Sequence, residues 1–350
     1  MTILVTGGAG FIGSHTCLEL LNKGYKVYVI DSCVNSSFKS LERVKEILEI
    51  RKSSNFNNLN FFKGDLRDKI LLQKVFDIAR NNGDSINSVI HFAGLKSVEE
   101  SVLNPISYWD GNVNSTIKLL EVMEQNNCYS IVFSSSAAIY GIANEKVKED
   151  FIIKPINPYG STKYAIEEFL FDLHRSFSSK WRIANLRYFN PIGAHETGFI
   201  GEDPLNKPNN LFPYICSVAN GKYDLLNIFG KDWPTNDGTG VRDYIHVMDL
   251  AEGHIKTLEF LTRNEPQAIN LNLGTGTGTS VLELINIFKS VSKVDIPYKF
   301  AERRKGDSAY VVADNSLAKE LLNWEPKRNL KDMCKDGWRW VKLNPNGYQK

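Results

Sequence analysis

The sequence predicts an α/β protein built on a doubly wound parallel sheet, with a smaller C-terminal domain. Three observations carry this. Short β-branched runs alternate with longer stretches of helical period through the first half of the chain, the pattern of βαβ units. A cluster of glycines joins the first of these strands to the first helix. Beyond Phe189 the texture changes: Pro191, Pro204, Pro208, Pro213 and Pro234, among many Gly and Asn, point to a looser lobe.

The elements follow in order. Ile3 to Thr6 is a short apolar run that enters the glycines, and the helix after them spans Gly13 to Lys23. Val27 to Asp31 is the second strand, followed by a helix around Phe38 to Ile50. The polar stretch Ser53 to Asn58 is expected as a surface loop before a strand at Leu59 to Gly64. A helix from Lys69 to Arg80, a strand from Ser88 to Phe92, a helix from Val113 to Gln125 and a strand from Ser130 to Ser134 continue the series. Asn157-Pro158 opens a helix from about Tyr159 to Phe177, and Arg182 to Arg187 is a further strand. Two units are expected, residues 1–189 and 190–350, with about 241–275 packing back onto the first.

Composition narrows the classes. The 350 residues are 42% apolar and 23% charged, which excludes a disordered or fibrous chain. A net charge of +2 without basic runs lacks the footprint of nucleic-acid or anionic-membrane binding. No stretch approaches a membrane span, and a strand at residues 3–6 leaves no room for a signal peptide. Cys17, Cys33, Cys128, Cys216 and Cys334 are odd in number and never closer than 16 residues, which indicates neither a disulfide framework nor a zinc knuckle, so a reducing, cytoplasmic location is expected. The six histidines show no metal spacing, and no metal is expected.

Gly7, Gly10 and Gly13 stand at the strand-to-helix junction, where missing Cβ atoms let backbone N–H groups approach a pyrophosphate at a helix N-terminus. This is the Rossmann arrangement. Asp31 ends the second strand 18 residues later, placed to accept hydrogen bonds from ribose hydroxyls and to repel a 2′-phosphate, which favours NAD over NADP. Among 14 tyrosines, Tyr159 alone is followed four residues on by Lys or Arg, here Lys163, which puts phenol and ammonium on one helix face. A phenol is a poor base at neutral pH unless neighbouring cations favour the phenolate. Ser134, Ser135 and Ser136 end the preceding strand. Ser136 is the candidate to hold a reacting oxygen beside Tyr159, although spacing alone does not decide which of the three faces inward. The second glycine cluster, Gly274 to Gly278, is expected as a structural turn, because Ser280 and Glu283 form a capping box just beyond it.

These motifs, with Asn35-Ser36, Gly64-Asp65-Leu66, the run His91 to Lys96, Pro158-Tyr159-Gly160, Arg187-Tyr188-Phe189-Asn190, Asn209-Asn210-Leu211 and the segment Asp237 to His246, resemble the UDP-glucose 4-epimerase family of extended short-chain dehydrogenase/reductases. The resemblance covers essentially the whole chain. It implies a bound, recycled NAD and inversion of the sugar C4 through a transient 4-keto intermediate, interconverting UDP-glucose and UDP-galactose. It further implies that Tyr159, Lys163 and Ser136 are catalytic. Phe11, Ile12, Asn35, Asp65, Leu66, Phe92, Ala93, Lys96 and Asn112 would join Gly7, Gly10, Gly13 and Asp31 at the NAD site. Ser136, Asn190, Asn210, Leu211, Phe229, Arg242, Arg304, Asp307 and Val311 would hold the UDP-sugar in the C-terminal, substrate-binding domain, and similar enzymes are homodimers. One departure bears on substrate range. The position bordering the sugar C2 substituent, either a bulky Tyr or a small residue in the family, is Val311 here, with Tyr310 one place earlier, so UDP-GlcNAc and UDP-GalNAc enter as further candidates. The alternatives are another NAD-dependent nucleotide-sugar-modifying member of the superfamily, or a non-catalytic dinucleotide sensor. A 4,6-dehydratase needs an acid pair after the serine strand, and Ala137-Ala138-Ile139 offers none.

Overall fold

The computed structural model describes residues 1–143, 145–205, 208–304 and 307–348. Strands β1 (Thr2–Thr6), β2 (Lys26–Asp31), β3 (Leu59–Lys63), β4 (Ile86–His91), β5 (Ser130–Ser136) and β6 (Arg182–Tyr188) alternate with helices. The helices are α1 (Phe11–Asn22), α2 (Lys39–Ile50), α3 (Lys69–Asn81), α4 (Val98–Leu103), α5 (Pro105–Tyr108), α6 (Ser115–Gln125) and α7 (Pro158–Ser176). The strands are nearly continuous apolar runs because both faces are covered. On β1, Ile3 and Val5 join a core with Leu18, Leu41 and Leu48, while Leu4 joins a second core with Val75, Leu119 and Ile166.

The rest of the chain forms β7 (Asn190–Ile192), β8 (Leu226–Phe229), β9 (Val241–His246), β10 (Ala268–Leu273), β11 (Gly278–Ser280), β12 (Tyr298–Ala301) and β13 (Tyr310–Val311). Their helices are α8 (Leu211–Ala219), α9 (Val247–Arg263), α10 (Val281–Ser292), α11 (Ser316–Leu322) and α12 (Leu330–Leu343). The large sheet is parallel throughout, in the order β10-β6-β5-β4-β1-β2-β3. A smaller sheet sets β9 against β7, β11 and β13, and β8 pairs with β12. The smaller lobe has its own core of Ile192, Phe212, Ile228, Leu284, Phe288 and Trp338.

The chain passes between the lobes more than once. After β7 to β9, helix α9 packs on α1, and β10 pairs with β6 from Ala268↔Ile183 to Leu273↔Tyr188. The C-terminal tail also returns: Arg43 of α2 donates to Asn344 Oδ1 at 2.6 Å, and Trp340 and Tyr348 complete the core beneath α1 and α2. Within 241–275, then, α9 and β10 extend the large sheet's layers while β9 stays in the smaller sheet. Two local expectations change. Ser54–Asn58 is a 3-10 turn, because the Ser53 hydroxyl accepts the Asn55 N–H and closes it. The helical region before Val113 begins earlier, with α4, α5 and a π-turn at Trp109–Asn114.

Candidate active site

The carboxyl ends of β1, β2, β4, β5 and β6 open into one cavity of about 910 Å³, whose far wall comes from the smaller lobe. Strand order reverses between β1 and β4, which is where a doubly wound sheet leaves a crevice.

The glycine turn is built by close approach. Gly7 has φ +68°, and a Cβ on it would lie 2.7 Å from Ala93 N; one on Gly13 would lie 2.3 Å from Gly7 O. A Cβ on Gly10 would meet only Gly7 O, at 3.2 Å, so there the smallness is turned towards the cavity instead of packed protein. Helix α1 starts at Phe11 with no side-chain cap, which leaves its first-turn N–H groups available where Phe11, Ile12 and Gly13 line the space. Asp31 is buried at the end of β2. Its Oδ2 accepts from Ala9 N at 3.0 Å and its Oδ1 from Cys33 N at 2.9 Å and Ser36 Oγ at 2.8 Å, which fixes the carboxylate at the cavity wall. Asn35, Asp65, Leu66, Phe92, Ala93 and Lys96 line the same end.

Asn112, also expected at the cofactor, stands just behind the lining residues Gly111 and Ser115. It is 1% exposed and does not reach the cavity. Its Oδ1 accepts from Leu95 N at 2.7 Å, and its Nδ2 donates to Leu95 O at 3.1 Å and to Thr162 Oγ1 at 3.1 Å, so its amide is consumed in tying the loop after β4 to α7.

The three serines at the end of β5 take separate tasks. Ser134 O accepts from Lys163 Nζ at 2.7 Å, the Ser135 hydroxyl donates to Glu167, and Ser136 shares a hydrogen bond with the Tyr159 phenol. Strand alternation puts Ser134 and Ser136 on one face and Ser135 on the other, and of the two it is Ser136 whose hydroxyl meets the Tyr159 phenol while Ser134 meets Tyr188. Asn157 caps α7 by accepting from Gly160 N at 2.9 Å, and Pro158 occupies the first helical position, so Tyr159 sits at the start of the helix where it can lean over the cavity. Burial raises the Tyr159 phenol, and Ser136 partly opposes this. Burial pushes Lys163 down to about 8, against the pull of Glu167.

The far end is electropositive. Arg242 on β9, Arg304 and Asp307 line the cavity, with Arg304 Nε donating to Asp307 Oδ2 at 3.1 Å and the Arg304 guanidinium 4.7 Å from the centre of the Phe229 ring. Burial and then Arg304 hold Arg242 below the usual arginine range, while Tyr244 and Asp307 pull the other way. Two guanidiniums beside one carboxylate suit an anion with two charges. Asn190, Asn210, Leu211 and Val311 complete the expected wall. On β13, Val311 pairs with Arg242 and faces the cavity. Tyr310 pairs with Val241 and lies by Gly278, on the other side of the strand.

The remaining expectations separate cleanly. The Gly274–Gly278 turn wraps a carboxylate: Asp243 accepts from Thr275 N at 2.8 Å and Gly276 N at 2.9 Å, so those N–H groups are not free for phosphate. His91 is a core residue, bonded to Thr6 and Thr116. The cavity also includes Tyr188 and Tyr244, which fall within segments that carry the resemblance, and Glu202, Asn227, Trp233 and Val281, which have no local spacing signal. Across its mouth, Lys96 pairs with Glu202 at 3.2 Å and Asn209 donates to Ser97 Oγ at 3.3 Å. Among the described residues, no cluster of His, Cys, Asp and Glu could hold a metal ion, and no helix is long and apolar enough to cross a membrane.

The family model described as GDP-mannose 4,6 dehydratase matches residues 4–337. A UDP-glucose 4-epimerase of Bacillus subtilis is 52% identical over 350 residues, 100% of this chain and 99% of that protein. A solved UDP-glucose 4-epimerase structure from Stenotrophomonas maltophila, with bound NAD and formylated UDP-arabinopyranose, superposes with a TM-score of 0.92 at 43% identity, covering 99% of each chain. One from Bifidobacterium longum, in complex with NAD+ and UDP, gives 0.91 at 46%, covering 99% of this chain and 100% of that one.

Proposed function

Because the chain belongs to the GDP-mannose 4,6 dehydratase family of extended short-chain dehydrogenase/reductases, in its UDP-glucose 4-epimerase branch, we propose that it interconverts UDP-glucose and UDP-galactose with a tightly held NAD. The observation that carries this is the convergence of Tyr159, Ser136 and Lys163 at the end of β5, in the same cavity as Arg242 and Arg304.

The glycine turn and the open first turn of α1 fit a pyrophosphate, and Asp31 fits an unphosphorylated ribose. NAD, when bound, supplies the hydride acceptor and donor at the sugar C4. Ser136 orients the 4-oxygen and Tyr159 takes the 4-hydroxyl proton, returning it when the sugar presents its opposite face. Lys163, an ammonium through most of the neutral range, favours the phenolate electrostatically. Arg242 and Arg304 hold the diphosphate, Phe229 and Leu211 flank the nucleoside, and Asn190, Asn210 and Asp307 supply polar contacts to the UDP-sugar. Anchoring by the diphosphate lets the hexose turn while the nucleotide stays fixed.

Val311, with Tyr310 turned away, leaves room beside the sugar C2 and supports a substrate range that includes UDP-GlcNAc and UDP-GalNAc. The exposed apolar residues Val102, Leu103, Ile106 and Trp109 on and beside α4 and α5 support a homodimer through this helical face. The odd number and wide spacing of the five cysteines support a cytoplasmic location.

The test is incubation of pure protein with UDP-galactose and no added NAD, together with mass analysis of the ligand released on denaturation. UDP-glucose formed without added cofactor supports the epimerase. Reduced cofactor accumulating in the medium makes it a dehydrogenase, and bound NAD without turnover makes it a sensor.

A further inference from the structure

Glu167 lies one helical turn beyond Lys163 on α7 and is buried behind the cavity without lining it. Its carboxylate takes a two-pronged pair from Arg187 on β6, Nε to Oε1 at 3.1 Å and Nη2 to Oε2 at 2.7 Å, with both side chains 1% exposed. Ser135 on β5 donates to the same carboxylate. Arg187 Nη1 donates onward to Tyr140 OH at 2.9 Å and to Glu149 O at 2.7 Å, and Tyr140 OH donates to Asn272 Oδ1 on β10 at 2.7 Å. One network therefore joins the helix carrying Tyr159 and Lys163 to β5, β6, β10 and the 140–149 segment.

A buried ion pair is a costly fastener, since desolvation offsets much of its attraction and an apolar pair of the same size would hold the elements as well. A reason for keeping charge here lies four residues away. Lys163 is 4% exposed, its ammonium donates to the neutral carbonyl of Ser134, and its Nζ lies 4.8 Å from the centre of the Phe133 ring. The titratable groups around it are Tyr159 on its own helix, Tyr188 on β6 and His91 on β4, and His91 is held neutral by burial and then by Lys163 itself. Glu167 is the carboxylate that reaches this group.

We propose that Glu167, clamped by Arg187 and Ser135, is a positioning residue that holds Lys163 as an ammonium and sets the spacing of β5 and α7 on which the Ser136–Tyr159 contact depends. The balance at Lys163 agrees: burial lowers it to about 8, and Glu167 opposes the fall. Burial alone would also lower the Arg187 guanidinium, and Glu167 raises it instead, so Arg187 stays charged and keeps the carboxylate in place. This inference rests on the roles given above to Tyr159 and Lys163.

The test uses the holoenzyme and UDP-galactose. Glu167→Gln keeps the volume and an acceptor for Arg187 but not the charge. We expect kcat to fall about ten- to a hundredfold with KM within about threefold, and the alkaline limb of the kcat profile to move at least about one pH unit towards acid. The pH dependence of Lys163 acetylation by acetic anhydride, read by mass spectrometry, moves the same way without needing turnover. Because this variant leaves Arg187 buried and unpaired, Glu167→Gln/Arg187→Gln is measured beside it as a neutral pair. A double variant with parental rate and parental pH curves would mean that the pair only packs, and overturns the proposal. So does a Lys163 in the unsubstituted protein that loses its proton below about pH 7, a measurement that needs no variant. Retained activity in Tyr159→Phe, run in the same assay, instead overturns the underlying assignment of the base.

Discussion

Lys163 Nζ stands 5.9 Å from the centre of the Tyr159 ring and gives its hydrogen bond to Ser134 O, not to the phenol. Its influence on Tyr159 is therefore through space. Tyr159→Phe keeps the ring and removes the proton acceptor, so interconversion falls by about 10² to 10⁴ while bound cofactor is retained. Lys163→Ala lowers both rate and cofactor retention. Turnover assays and the absorbance of released ligand check both, and near-normal turnover in Tyr159→Phe removes Tyr159 from the chemistry.

Asp31 accepts three hydrogen bonds from its own chain and still borders the cavity. Asp31→Ala removes a carboxylate from the 2′ side of a bound ribose, so discrimination against NADP relaxes by about tenfold or more. Reconstitution of the stripped protein with each dinucleotide reads this directly. An unchanged preference would reduce Asp31 to a strand-end brace.

Val311→Tyr fills the space beside the sugar C2. The loss falls on the N-acetylated pair, about tenfold to over a hundredfold in kcat/KM for roughly 1 to 3 kcal/mol of overpacking, and leaves UDP-glucose and UDP-galactose nearly untouched. If the unsubstituted protein turns over no N-acetylated sugar, the space at Val311 is not what sets the range.

Stability falls steeply on acidification. His15, His91, His195 and His254 are buried, and burial lowers them to about 3, 3, 4 and 4. The unfolded chain takes up these protons near pH 6.5 and the folded chain does not, so the stability these neutral rings contribute is present above about 6.5 and is lost as pH falls towards 4 and 3. Each contributes about 1.4 kcal/mol per pH unit, so the slope approaches roughly 5 kcal/mol per unit below pH 6. Urea midpoints between pH 7.5 and 5 measure it, and a flat profile would show that these rings are not held neutral.

Asn112→Ala leaves Leu95 N and Leu95 O without their partner and frees the loop after β4 from α7. A loss of about 2 to 4 kcal/mol is expected, with weaker cofactor retention and little change in the KM for UDP-sugar. Thermal unfolding and binding measurements separate these effects.

Local signals made the first half of the fold and the chemistry legible. Gly7, Gly10, Gly13 and Asp31 sit within one βαβ unit, and Tyr159 and Lys163 within one turn, so spacing alone conveys their juxtaposition. The setting of Asn112 is less legible, because its hydrogen bonds run to Leu95 and Thr162, 17 and 50 residues away. Arg187 and Glu167 are 20 residues apart on different elements and meet only because β5, β6 and α7 stack, which no periodicity conveys. Tyr244, Trp233 and Glu202 reach the cavity only through the smaller sheet and its loops, whose pairings are set by tertiary contact.

The return of β10 to the edge of the large sheet, and of the C-terminal tail beneath α1 and α2, removes any simple point at which the protein could be cut in two. A fragment ending near residue 189 would carry every strand of the large sheet but one, yet would present β6 as a raw edge and leave α1 with an uncovered apolar flank. Such a piece is an aggregation hazard, not a module. The two lobes are therefore bound into one unfolding unit, and evolution or engineering can exchange loops at the cavity far more readily than it can exchange halves.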